Sequence, residues 1–302
     1  MNRIAITTSS FAQFSQEPLI LLRQAGLEYV CNPYGRNLTE EETIALLRGC
    51  VGVAAGTEPL TARVMAELPD LKVISRCGAG LDNVDITAAA KKGIKVCSTP
   101  DGPTLAVAEL TLAFALDLLR KVTQMDRGLR EGAWKKQMGN TLKGKRLGII
   151  GFGRIGQAVG AIFTALGAEI AFNDPVVDST IYRKMSISEL LSWADIISLH
   201  SSRSGGECSL LAIDQLRKMK PGSWIINSAR GGLVDEGALY DLLKSGHLAG
   251  AAIDVFEREP YDGPLKDLDN VILTPHIGSY ARESRIQMEI DTIKNLISCL
   301  NE

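Results

Sequence analysis

Short apolar runs alternate with amphipathic stretches along nearly the whole chain. In the first hundred residues the runs 4–7, 51–55, 71–77 and 94–98 have strand length, while 18–24, 61–68 and 85–92 carry apolar positions at helical spacing. Thr39 and Glu42 form a capping box ahead of Ile44 and Leu47, which marks a further helix start. A second series follows: strand 146–150, helix 157–166 with Ala158, Ile162, Ala165 and Leu166 on one face, strands 168–172, 195–199 and 222–227, helix 235–243, and strands 249–253 and 271–273. Such alternation predicts parallel sheets covered by helices on both faces, with ligands at the carboxyl ends of the strands.

Two breaks divide the series. Thr99-Pro100-Asp101-Gly102-Pro103 is a dense Pro/Gly cluster ahead of one long apolar helix, predicted from 105 to about 130. The second break is near Gly278-Ser279, because the final amphipathic stretch 282–300 can return to the first domain. The expectation is two doubly wound α/β domains: a discontinuous one of residues 1–99 and 279–302, flavodoxin-like, and an inserted Rossmann one of residues 100–278. They are expected to close about the two breaks, with an active site in the cleft.

Composition narrows the partners. At 302 residues with a net charge of −2 from interspersed acids and bases, the chain has no basic stripe, so neither nucleic acid nor an anionic membrane is expected. The start of the chain lacks a secretory pattern, and the most apolar stretch, 105–119, is interrupted by Glu109 and Asp117 and is too short to span a bilayer. Cys31, Cys50, Cys77, Cys97, Cys208 and Cys299 show no C-x-x-C spacing, which points to reduced thiols in a cytoplasm and to no metal site.

The strand ends carry the candidate chemistry. After 146–150 the chain reads Gly151-Phe152-Gly153-Arg154-Ile155-Gly156, a G-x-G-x-x-G turn leading into a helix. Gly151 permits the tight turn, Gly153 lets the backbone approach a pyrophosphate, and Gly156 lets helix and strand pack. Asp174, at the end of the next strand, has the position of a ribose ligand; its charge repels a 2′-phosphate, so NAD is expected rather than NADP. Arg76 with Cys77-Gly78-Ala79-Gly80 follows another strand and could hold a small anion or simply turn the chain.

Hydride transfer from an alcohol requires a base for the hydroxyl proton and a cation for the carbonyl and carboxylate. Of three histidines, His247 ends a helix and reads as a surface residue, His200 ends a strand and could line a cofactor cleft, and His276 follows a strand end 17 positions after Glu259. Arg230 stands between a buried strand and two glycines. Spacing alone leaves Arg230 and Glu259 equally readable as solvated turn residues.

Taken together, these motifs resemble the D-2-hydroxyacid dehydrogenase family, and within it the phosphoglycerate dehydrogenases. The segments that carry the resemblance are 71–85, Val107-Ala108-Glu109, 144–156, 227–236, 254–260 and Pro275-His276-Ile277-Gly278. The resemblance implies that His276 takes the hydroxyl proton, Glu259 orients it, and Arg230 holds the carboxylate and C2 oxygen. It also implies that Asp254 binds the nicotinamide carboxamide, that Ser228, Ala229 and His200 line the cofactor, and that the 77–80 loop shares the substrate carboxylate with Arg230. A homodimer built on the nucleotide domain is implied too; helix 105–119 is a candidate participant, with core packing as the alternative reading. Where phosphoglycerate dehydrogenases usually carry an arginine, this chain has Ala54-Ala55-Gly56-Thr57-Glu58, which removes a phosphate ligand and adds an acid; Lys135 or Lys136 after Trp134 could supply another cation. Ser202 replaces a common proline, and the Ser204–Glu207 loop is unusual. The likeness is to a short form, so serine feedback through a regulatory domain is not expected. An NAD-sensing co-repressor shares this fold and is the contrasting class; formate oxidation is disfavoured because Glu259 stands where that branch has an amide.

Overall fold

The computed structural model describes residues 2–202 and 209–301, so the 204–207 loop and Cys208 lie outside the described residues. The chain divides into two compact units, Met1–Pro103 with Ser279–Glu302, and Thr104–Gly278.

In the first unit β1 (Arg3–Ile6), α1 (Glu17–Gln24), β2 (Glu28–Cys31), α2 (Glu40–Leu47), β3 (Gly52–Ala55), α3 (Ala62–Ala66), β4 (Val73–Arg76), α4 (Ile86–Lys91) and β5 (Lys95–Ser98) follow in order. The five strands are all parallel, in the order β2-β1-β3-β4-β5, the flavodoxin-like arrangement. Side-chain alternation splits the core between the two faces of the sheet: Ala5, Val53 and Ile74 pack with Ile44, Leu47 and Val64, whereas Ile4, Ile6 and Val73 pack with Leu22 and with Ile293 and Leu296 of the C-terminal helix, Arg282–Asn301. That helix returns to this unit and, with α1, covers one face of the sheet. The Thr39–Glu42 capping box is present, and Thr61 and Asp85 cap the next two helices. Residues 99–103 pack here as well: the Thr99 hydroxyl accepts from Gly78 N–H at 2.8 Å, and a Cβ on Gly102 would strike Met288.

The second unit holds α5 (Thr104–Arg120), α6 (Val122–Arg130), β6 (Arg146–Ile150), α7 (Arg154–Ala165), β7 (Glu169–Asn173), β8 (Arg183–Lys184), α8 (Ile187–Trp193), β9 (Ile196–Leu199), α9 (Ile213–Leu216), β10 (Ser223–Asn227), α10 (Glu236–Lys244), β11 (Leu248–Ile253) and β12 (Val271–Leu273); the C-terminal helix is α11. Its seven parallel strands run β12-β11-β10-β9-β6-β7-β8, a Rossmann order with one further strand, and the order reverses between β6 and β9. Phe114 and Leu118 of α5 and Phe163 of α7 cover one face, and Leu190, Leu216 and Leu239 of α8, α9 and α10 cover the other.

One expected element is corrected. The helix expected from 105 to about 130 is two helices, broken at Lys121, whose φ of 56° is left-handed. The Asp117 carboxylate accepts from the backbone N–H and the hydroxyl of Thr123, capping α6 in place of a continued helical bond.

Candidate active site

The glycine turn sits at the reversal point of the second sheet. Gly151 has φ +88°, and a Cβ there would lie 2.5 Å from the Ser201 nitrogen, so the chain can pass between β6 and β9 only as glycine. A Cβ on Gly156 would meet the Gly151 carbonyl oxygen at 2.2 Å, whereas at Gly153 it would meet nothing within 4 Å. Gly153 is the N-cap of α7 and carries no side chain to cap the helix, so the positive end of the α7 dipole, beginning at Arg154 and Ile155, lies at this glycine turn. The residues present fit a dinucleotide pyrophosphate.

Asp174 braces that turn. One carboxylate oxygen accepts from Phe152 N–H at 2.8 Å, and the other accepts from Val176 and Val177 N–H, both at 2.8 Å. Burial works against its charge, but these three donors outweigh it and hold the carboxyl below the usual range. His200, at the end of β9, is neutral: burial pushes its imidazole down to about 3, and its Nε2 meets the Ser198 hydroxyl at 2.8 Å. The other ring nitrogen, Nδ1, and the Ser201 hydroxyl are buried with no hydrogen-bond partner among the described residues. The Ser228 hydroxyl lies 3.3 Å from that of Thr111 on α5, and Ala229 N–H donates to the Asn227 side chain. At the amino end of β10, His247 Nε2 donates to the Met219 carbonyl at 3.0 Å and takes no part.

Three loops of the same unit bring the titratable groups together. His276 Nδ1 lies 2.9 Å from a Glu259 oxygen, and the other oxygen of Glu259 accepts from Phe256 N–H at 3.0 Å. Desolvation opposes the Glu259 charge, yet the bonds from His276 and Phe256 and the field of Arg230 leave its carboxyl lowered. His276 itself has φ 56°, rare for a residue with a Cβ, and about half of its side chain is exposed. The loop holding it is fixed by Asp254, which is fully buried and accepts from the Thr274 hydroxyl at 2.6 Å, Ile277 N–H at 2.7 Å and Gly278 N–H at 2.8 Å. The structure thus gives Asp254 a role that sequence reasoning missed, clamping the turn on both sides of His276. Arg230 follows β10, and the next residue explains the glycine there: a Cβ on Gly231 would stand 1.8 Å from the Phe256 carbonyl oxygen. This close approach packs the Arg230 loop against the Glu259 loop.

The strand ends of the first unit are arranged differently. Cys77 N–H is used by the Ala55 carbonyl, and Gly78 N–H by the Thr99 hydroxyl and the Arg76 carbonyl. In the 77–80 loop only Ala79 and Gly80 keep N–H groups with no acceptor among the described residues, which narrows the four-residue anion loop expected from sequence. The added acid, Glu58, does not face outward either. It is 1% exposed, accepts from the Thr7 hydroxyl at 2.5 Å and from Gly56 N–H at 3.0 Å, and burial pushes its carboxyl up against those bonds and the Arg76 charge. No positional signal in the sequence separates such an internal brace from a binding residue.

A cavity of about 490 Å³ in the second unit lies at the opposite, amino ends of the strands, lined by Asp195, Lys220 and Trp224 among others. Its lining includes none of Arg230, Glu259 and His276, which stand at the carboxyl ends of the strands. Among the described residues, no three His, Cys, Asp or Glu side chains cluster as metal ligands, and no helix is long and apolar enough to cross a membrane.

Residues 112–278 match the family description "D-isomer specific 2-hydroxyacid dehydrogenase, NAD binding domain". Among curated proteins the chain is similar to the D-3-phosphoglycerate dehydrogenase of Archaeoglobus fulgidus, 36% identical over 94% of this chain and 55% of that one. The chain spans about half the length of the curated relatives it matches. Among solved structures it is similar to the TT0316 protein of Thermus thermophilus, with a TM-score of 0.92, 37% identity, and coverage of 99% of this chain and 97% of that one. A glyoxylate reductase from Paecilomyes thermophila superposes with a TM-score of 0.89 at 28% identity, over 100% and 96% of the two chains.

Proposed function

Because the chain belongs to the D-isomer specific 2-hydroxyacid dehydrogenase family, we propose that it is an NAD-dependent oxidoreductase that moves a hydride between C2 of a small 2-hydroxyacid and the nicotinamide. The observation that carries this reading is the His276–Glu259 pair beside Arg230. NAD supplies the hydride acceptor when bound, and the turn of Gly151, Gly153 and Gly156 is where its pyrophosphate fits. With Glu259 on Nδ1, the imidazole carries its proton there and presents Nε2 as the base for the substrate hydroxyl. As that proton arrives, the carboxylate of Glu259 stabilises the imidazolium. Arg230 holds the substrate carboxylate through its planar fork, which fixes C2 for transfer. Asp174 serves the adenosine ribose and Asp254 the nicotinamide end, with His200, Ser228 and Ala229 lining the cofactor.

The similarity to D-3-phosphoglycerate dehydrogenases supports a phosphorylated substrate. A second reading, an unphosphorylated acid such as glycerate or its 2-oxo partner, is favoured by one observation: Ala54 and Ala55 are fully buried and offer no cation, and the neighbouring Glu58 is turned inward. Absorbance of NADH over 3-phosphoglycerate, glycerate, lactate, hydroxypyruvate and glyoxylate tests both readings. Turnover of one or more of these acids is expected; a higher kcat/KM for 3-phosphoglycerate than for glycerate supports the phosphorylated substrate, and the reverse supports the second reading. NADH binding without turnover of any of them would instead support the sensing class.

We further place the protein in the cytoplasm as a homodimer. The second unit exposes Val122 and Leu129 on α6 and, beyond it, Trp134 and Met138, which are 84% and 91% exposed. Apolar side chains that accessible support burial against a second copy. Light scattering should show twice the mass of one chain, and a monomer would count against it.

A further inference from the structure

Two thiols meet in the first unit where the chain's first and last segments pack together. Cys97 lies on the edge strand β5 and Cys299 in the last turns of α11, and their Sγ atoms are 3.1 Å apart. The approach is held from both sides: Lys95 Nζ donates to the Cys299 carbonyl at 3.0 Å, and the Asn295 side-chain amide donates to the Ser98 carbonyl at 3.1 Å. Both residues are partly exposed, within reach of a small molecule, whereas Cys50 and Cys77 are buried and burial pushes their thiols up. Cys31 is exposed but sits on β2, the opposite edge of the five-stranded sheet, four strand spacings or about 19 Å away.

We propose that Cys97 and Cys299 are a modification site, which a small-molecule disulfide oxidises to an intrachain cystine. One thiolate attacks a sulfur of the small disulfide, forming a mixed disulfide and releasing one small thiolate. The second protein thiol, losing its proton, then displaces the other small thiolate. The two protein sulfurs lose two electrons, the small disulfide gains them, and the two thiol protons leave with the released thiols. None of the five described cysteines is disulfide-bonded here, and a pair already in contact needs little movement to close. The bond would join the two separate pieces of the first unit, closing a loop that contains the whole of the second, so it constrains the unfolded chain strongly.

The test uses the intact protein, treated with oxidised glutathione or with dithiothreitol, trapped by alkylation and digested. The expected product is two hydrogens lighter than the reduced chain and yields one crosslinked peptide pair carrying Cys97 and Cys299. Its Tm lies above that of the reduced protein and falls back on reduction. Cys299→Ser, and separately Cys97→Ser, should each lose the crosslink and the Tm rise. A stable glutathione adduct on either cysteine, a crosslink to Cys31 or Cys208, or no oxidation at all would overturn the proposal.

Discussion

The two units share a parallel, doubly wound plan but use their strand ends in opposite ways. In the second, buried Asp254 clamps its loop and Glu259 is fixed by Phe256 N–H, while the His276 they hold remains half exposed. In the first, Glu58 after β3 is turned inward on Thr7 and Gly56, and within α11 Glu289 is likewise turned inward on Ala12 N–H and Arg285. On the proposed function, the loops of the second unit serve chemistry and the inward-turned groups of the first serve its integrity. Substitutions in the second unit should therefore cost activity and spare stability, and those at the inward-turned groups of the first should do the reverse.

The largest effect is expected at His276. His276→Asn should lower kcat by about 10²–10⁴-fold, the range for losing an acid–base group, with Tm and NADH affinity close to wild type. A matching loss of Tm would break the contrast between the units. Next is Glu289→Ala, which leaves Arg285 buried without its carboxylate; both side chains are under a tenth exposed. It should cost about 3–5 kcal/mol in denaturant unfolding, with kcat per folded molecule retained. Similar stability to wild type would show that the pair is not the brace described.

The smallest effect concerns acid. The folded-state imidazole of His200 is lowered to about 3, while the unfolded chain takes up a proton near the ordinary value of about 6.5. Below that ordinary value the unfolded state binds a proton that the folded state refuses, so stability falls as pH drops from about 6.5 toward 3. His200→Asn should flatten the loss of Tm between neutral pH and pH 5, and an unchanged slope would exclude His200 as the source.

What the sequence discloses follows the same division. Glycines and strand ends were readable because much of their cause is local: Gly156 must be glycine since a Cβ would strike the Gly151 carbonyl in the same turn, Gly151 has a left-handed φ, and the spacing of that turn is written in the chain. The β-α alternation disclosed both sheets for a similar reason, as strand and helix periods differ. The helix break at Lys121 was not legible, because the apolar pattern continues through it and the cap comes from Asp117 one turn back. Nor were the inward turn of Glu58 or the clamp by Asp254, whose partners lie up to 51 and 24 positions away and are set by the packed loops.

The central claim is hydride transfer at C2 with His276 as the base. The direct measurement is to incubate the protein with NAD and C2-deuterated D-glycerate or D-3-phosphoglycerate and follow deuterium into the reduced nicotinamide by mass spectrometry. Label is expected in NADH with the wild type, and little with His276→Asn although that variant still binds NADH. Absence of label with wild type for both acids and for deuterated D-lactate, or undiminished transfer by the variant, would contradict it.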